Sequence, residues 1–154
     1  METVLMIGGT DLLPRIETLW CELRDLHSSR SAHFSDMVRD MEFESRRVGL
    51  QQKSEGGHML VQIVTLAGTS EKKDVGYCVS TVGLDGVAEI DSIFVSEGFR
   101  GKGLGSKLIQ GALDWIDEHD VKMVRTSVLW GNEGVLPFYQ HHGMYPRSIV
   151  LLRK

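Results

Sequence analysis

The stretch from residue 58 to residue 105 constrains the fold of this chain most. HMLVQIVTLAG (58–68), VGYCVSTV (75–82) and VAEIDSIFV (87–95) are three strand-like runs rich in β-branched and aromatic side chains. The polar loop GTSEKKD (68–74) and the tight turn GLDG (83–86) join them, and connections this short call for an antiparallel meander. The third run then passes through SEG into FRGKGLG (99–105). From there Leu104, Leu108, Ala112 and Ile116 recur every four residues, which predicts a helix with one apolar stripe.

The flanks complete one α/β (α+β) unit. Val4 to Ile7, closed by Gly8-Gly9, reads as a first strand. TDLLPRIETLWCELRDLH (10–27) reads as a helix with Pro14 in its first turn, Leu12, Ile16, Leu19, Leu23 and Leu26 on its apolar side, and a break at Ser28–Ser31. A second helix is expected to bury Phe34, Met37, Val38, Met41 and Val48, with DMEFESRR (40–47) as its solvated face. KSEGG (53–57) is a turn. After the glycine loop and its helix come a strand over Val121–Leu129, a GNEG turn, a short helix in VLPFYQHH (135–142) and a last strand in RSIVLLR (147–153). The expected order is β-α-α-β-β-β-α-β-α-β, a single domain over 1–154 with a mixed, mostly antiparallel twisted sheet flanked by helices.

Composition narrows the function classes. At 154 residues, 42% hydrophobic and 25% charged, the chain fits one globular domain. A net charge of −4 gives no electrostatic footprint for nucleic acid. No apolar run approaches the roughly 20 residues of a membrane span. No basic segment precedes the short apolar run at the N-terminus, so a cytoplasmic protein is expected. Cys21 and Cys78 form no CxxC pair and read as reduced, structural thiols. His141-His142 falls at a helix end without further ligands at metal-binding spacing, so no metal is expected.

The glycine loop asks for a phosphate. A dinucleotide fingerprint aligned on Gly101 and Gly103 would put Ser106 where its third glycine belongs. A P-loop counted from Gly101 would need Ser or Thr where Leu108 stands. What remains is Arg100-x-x-Gly103-x-Gly105 at a strand-to-helix turn, where bare amides, the helix N-terminus, Arg100 and Lys102 suit a pyrophosphate. The residues alone leave open that the glycines only make the bend.

The pattern resembles the acyl-coenzyme A loop of the GNAT superfamily of N-acyltransferases. IFV-SEGF-RGKGLG is similar to that family's strand, connector and pyrophosphate loop, and GNEGVLPFYQHHGM (131–144) resembles its second signature. The element order matches as well, except that the family usually closes with two strands and the residues after His142 leave room for one. The resemblance implies acetyl transfer from acetyl-CoA to a primary amine of a small molecule or peptide. It places Arg100, Gly101, Lys102, Gly103, Leu104, Gly105 and Ser106 on the pyrophosphate. The main chain of Ile93, Phe94 and Val95 would meet the pantetheine, with Phe138 nearby, and Asn132 would contact it, cap the helix it opens, or do both. Homodimers are common in the family, so a homodimer is the expectation by analogy.

Amine acetylation also asks for acids and bases. Deprotonating an alkylammonium at neutral pH costs roughly 4–5 kcal/mol, so a site wants carboxylates that bind it and relay its proton. Glu89 and Asp91, two apart on a strand, share a face barring a bulge. The resemblance implies Glu89 as the base and Tyr139 as the acid that protonates the departing thiolate; Asp91, on the same face, is expected to anchor the ammonium. An acyl-CoA-binding module without turnover is the competing expectation; it would bind the cofactor and release no thiol.

Overall fold

The computed structural model describes residues 1–68 and 70–154; Thr69, inside the expected hairpin loop, lies outside the described residues. Five strands form one sheet: β1 (Thr3–Gly8), β2 (His58–Leu66), β3 (Asp74–Val82), β4 (Val87–Val95) and β5 (Met123–Thr126). Their spatial order follows the chain, with β1 to β4 antiparallel and β5 parallel to β4. The meander is therefore as the short turns dictate. The single parallel pair is the one bridged by a helix, α4 (Leu104–Asp117), as a parallel connection requires.

Two cores sandwich the sheet. On one face α4 buries Leu104, Leu108, Ile109, Ala112 and Ile116 against Val64, Cys78, Ala88 and Ile90. Each of these buried Leu and Ile side chains contributes roughly 1.5–3 kcal/mol relative to exposure. On the other face Leu13, Ile16, Leu19, Trp20, Phe43 and Leu50 pack on Val61, Ile63, Tyr77, Val79 and Phe94.

The helical N-terminal half departs from the expected pattern. Residues Thr10–Ile16 form a tighter 3-10 turn, and the α-helix α1 starts only at Glu17, because Pro14 has no N–H for the regular ladder. α1 then continues through the serines to Arg30, and Ser28, buried, hydrogen-bonds the Ser35 carbonyl at 2.9 Å. The expected second helix is two, α2 (Ser35–Arg39) and α3 (Phe43–Lys53). The break rotates the apolar face: Val38, Phe43 and Leu50 are buried, while Met37, Met41 and Val48 are exposed.

The chain beyond α4 is less regular than expected. β5 is four residues long rather than reaching Leu129, and α5 covers Leu136–His141. The segment RSIVLLR forms no strand, and Ile149, Val150, Leu151 and Leu152 are exposed. β5, the edge strand on that side of the sheet, is only four residues long, and among the described residues no strand pairs with it beyond β4. No helix among the described residues is long and apolar enough to cross a membrane.

Candidate active site

The site is organised by a defect in β4. Thr81 pairs with Glu89, Ser80 with Ile90 and Val79 with Ser92, so Asp91 has no partner on β3 and forms a β-bulge. Before the bulge, Ala88 and Ile90 face the α4 core. After it, Ile93 and Val95 pack on that core, while Phe94 joins the opposite one. Simple alternation would put Asp91, Ile93 and Val95 together. The bulge separates them.

Glu89 and Asp91 do converge, on the α3 face. Lys53 Nζ, at the end of α3, lies 2.5 Å from Glu89 Oε2 and 2.5 Å from Asp91 Oδ1. Arg125 Nε on β5 sits 2.9 Å from Glu89 Oε1. Thr81 Oγ1 donates to Asp91 Oδ2 at 2.7 Å, and the Arg46 guanidinium donates to the Asp91 carbonyl at 3.0 Å. The Asp91 side chain has 0% exposure and that of Glu89 17%.

These surroundings push the two acids apart. Burial, with the adjoining Glu89, raises the Asp91 carboxyl to about 6 against the pull of Lys53 and Thr81. Burial also acts upward on Glu89, but its hydrogen bonds with Asp91 and Lys53 and the charges of Lys53 and Arg125 outweigh it, leaving Glu89 below the ordinary carboxylate range. Lys53, Arg125, Thr81 and Arg46 were not singled out from the sequence. Lys53 lies 36 residues before Glu89, and nothing local to KSEGG marks it. A groove of about 440 Å³, lined by Asp40, Met41, Glu42, Ser45, Arg46 and Gly49, opens where α2 and α3 separate.

On the other side, β4 and β5 pair only from Val87–Met123 to Ile90–Thr126. Beyond Ile90 the main chain of Ile93, Phe94 and Val95 keeps its β3 partners and has no ladder with β5. The glycine loop follows. Gly101 and Gly103 adopt φ of 74° and 79°, left-handed values that favour glycine, and a Cβ at either would meet nothing within 4 Å. The first bond of α4 runs from the Lys107 N–H to the Gly103 carbonyl at 3.0 Å. No side chain caps that helix, so the amides of Leu104, Gly105 and Ser106 end in an uncapped turn. Arg100 donates to the Val95 carbonyl at 2.8 Å and lies over the Phe94 ring; Lys102 lies over Phe99. Phe138 fills the space beside Gly105, 3.5 Å from where its Cβ would be. Open left-handed glycines, an uncapped helix start and two cations fit an acyl-CoA pyrophosphate, and the unpaired strand edge fits an amide-bearing arm.

Tyr139, on α5, is buried in the α4 core. Burial raises its phenol above the ordinary value against a hydrogen bond with Thr126, so the hydroxyl stays protonated at neutral pH. Thr126 in turn donates to the Ile90 carbonyl at 2.8 Å, next to the bulge. The Asn132 side chain does not cap its helix. It accepts from Arg30 at 2.5 Å and lies 3.3 Å from His27 Nε2, tying this turn to the end of α1.

This sheet, opened after a bulged internal strand and followed by a glycine loop at a helix N-terminus, is the architecture of an acyltransferase. A profile of the Acetyltransferase (GNAT) family matches residues 20–144, and the chain belongs to that family. An uncharacterized N-acetyltransferase of Methanocaldococcus jannaschii is 36% identical over 64 residues, 42% of this chain and 28% of that relative's length. A Pyrococcus furiosus protein assigned as an acetyl transferase superposes with a TM-score of 0.70 at 22% identity, covering 99% of each chain. The aminoglycoside N-acetyltransferase AAC(6')-Iy, in complex with a bisubstrate analogue, CoA-S-monomethyl-acetylneamine, superposes with a TM-score of 0.62 at 16% identity, covering 100% of this chain and 99% of that one. At such identities the likeness is one of fold.

Proposed function

We propose that this chain transfers an acetyl group from acetyl-CoA to a primary amine of a small molecule or peptide by direct attack. The observation that carries the reading is the convergence of Glu89 and Asp91 on an alkylammonium, beside the point where β4 and β5 part. The CoA-containing complex of a protein with the same fold supports acyl-CoA as co-substrate. When bound, acetyl-CoA supplies the activated acyl group and a thiolate leaving group.

The chain's own residues divide the remaining work. Arg100, Lys102 and the amides of Gly101, Gly103, Leu104, Gly105 and Ser106 hold the pyrophosphate. The main chain of Ile93, Phe94 and Val95 aligns the arm, with Asn132 and Phe138 flanking it. Asp91 is the stronger base of the pair, because its carboxyl titrates nearer neutral pH than that of Glu89. In this reading Asp91 takes the amine's proton and Glu89 holds the ammonium, the reverse of the roles expected from the sequence. Tyr139, protonated at neutral pH, donates to the leaving sulfur. The groove at Asp40–Gly49 receives the body of the acceptor.

The test is release of CoA thiol from acetyl-CoA across amino sugars, polyamines, amino acids and peptides, with Tyr139→Phe in parallel. Turnover with one amine class, falling about 100-fold or more in the variant while acetyl-CoA binding persists, is expected of a general acid. Equal turnover in the variant removes Tyr139 from the mechanism. Binding of acetyl-CoA without turnover of any amine class would favour a non-catalytic acyl-CoA-binding module.

A further inference from the structure

The chain already holds a primary amine where the acceptor's amine would go. Lys53 Nζ bridges Glu89 Oε2 and Asp91 Oδ1, 2.5 Å from each. The carboxylates that would bind an external ammonium and accept its proton are thus in direct contact with Lys53. The side chain is 40% exposed, so it is not locked into the core and can swing on its flexible stem. Along the strand, Asp91 precedes Ile93 by two residues, about 7 Å or less at β-strand rise. Lys53 Nζ thus sits on the residue at which β4 leaves its pairing with β5, just before the main chain that the acyl arm would follow.

We propose that Lys53 is itself an acceptor, acetylated within its own chain by acetyl-CoA. This inference rests on the acyltransferase reading above. The Nζ lone pair forms the new N–C bond at the thioester carbonyl carbon, and the C–S bond breaks with its electrons on sulfur. Of the two protons the ammonium gives up, one passes through the Asp91 carboxylate to solvent and the other ends on the CoA sulfur. The product is a neutral amide that can no longer ion-pair with Glu89 and Asp91. Acetylation therefore removes the resident cation and leaves the two carboxylates for an incoming amine. The unmodified Lys53 is an internal competitor of the acceptor.

The experiment follows intact mass and mapped peptides after the full chain is mixed with isotopically labelled acetyl-CoA. One added acetyl group on the Lys53 peptide is expected. Its rate should be independent of protein concentration and at least about 100-fold above that of the surface lysines Lys107 and Lys122, reflecting the effective concentration of an oriented group. Exchanging both acids, Glu89→Gln with Asp91→Asn, should bring Lys53 down to the surface rate. A second readout needs no acetyl-CoA: propylamine should perturb the Asp91 carboxyl resonance in Lys53→Gln, whose neutral side chain approximates the product, at lower concentrations than in the native chain. Turnover of external amines without an adduct at Lys53 overturns this inference and leaves the acyltransferase reading standing. Acetyl-CoA binding with neither adduct nor turnover overturns both. An adduct whose rate rises with protein concentration overturns the intramolecular step.

Discussion

On the α4 side of β4 the groups open to a ligand are main-chain amides and an unpaired strand edge. On the α3 side they are charged side chains already bonded to one another. The first set is built into the backbone by two left-handed glycines and an uncapped helix start, with the Arg100 side chain lying on the Val95 carbonyl beside it. The second set must exchange partners, because Lys53 and Arg125 occupy the carboxylates that an amine would use. On the proposed function, the contrast implies that affinity for the co-substrate and selectivity for the amine would be carried by different kinds of interaction, and so would respond to different perturbations.

The largest effect should come from the charged side. Asp91→Asn is expected to lower turnover by about 10²–10⁴-fold with acetyl-CoA affinity unchanged, the range for loss of a general base. Steady-state kinetics beside calorimetric titration separates the two, and an equal loss in affinity would erase the contrast. Next is the backbone side. Gly103→Val forces a β-branched residue to φ of 79°, and left-handed strain of about 1–2 kcal/mol should weaken acetyl-CoA binding roughly tenfold. Acceptor KM should stay put at saturating acetyl-CoA. Little change in CoA affinity would mean that the loop conformation is not what the co-substrate reads.

A smaller effect is one of position on the pH axis. Asp91 accepts a proton only as a carboxylate, so kcat/KM should fall as pH drops through about 6. Lys53 lowers that value by its hydrogen bond and charge, and Lys53→Met should therefore move the limb to higher pH. A limb that does not move would take Asp91 out of the base role. The smallest effect belongs to Arg125→Gln, which removes one of the cations that hold Glu89 ionised. Because Arg125 is 56% exposed, a change of only a few-fold in acceptor KM is expected, as for solvent-screened pairs. A loss as large as that of Asp91→Asn would show that Arg125 contacts the substrate.

The same division decided what the sequence revealed. Glycine spacing, hairpin turns and the four-residue stripe of α4 are local signals, so the meander, the loop and the buried helix could be read directly. The break at residues 40–42 was hidden because Met37, Met41 and Val48 imitate one apolar stripe while Phe43 and Leu50 pack instead. Lys53 and Arg125 reach Glu89 from distant parts of the chain, and only the folded sheet brings them there. RSIVLLR has strand composition, but composition without a paired edge makes no strand.

The bulge also bears on which residue β4 can spare. With Asp91 left out of the count, Ala88, Ile90, Ile93 and Val95 alternate with Glu89, Ser92 and Phe94, and each falls on the face it occupies in the structure. Neither core depends on the extra residue for its register. The sheet carries a buried carboxyl at a supernumerary position, held by Lys53, Thr81 and Arg46 rather than by either hydrophobic layer. On the proposed function, the reactive carboxyl would stand outside the alternation that builds the two cores, tied instead to the polar groups of α3 and β3.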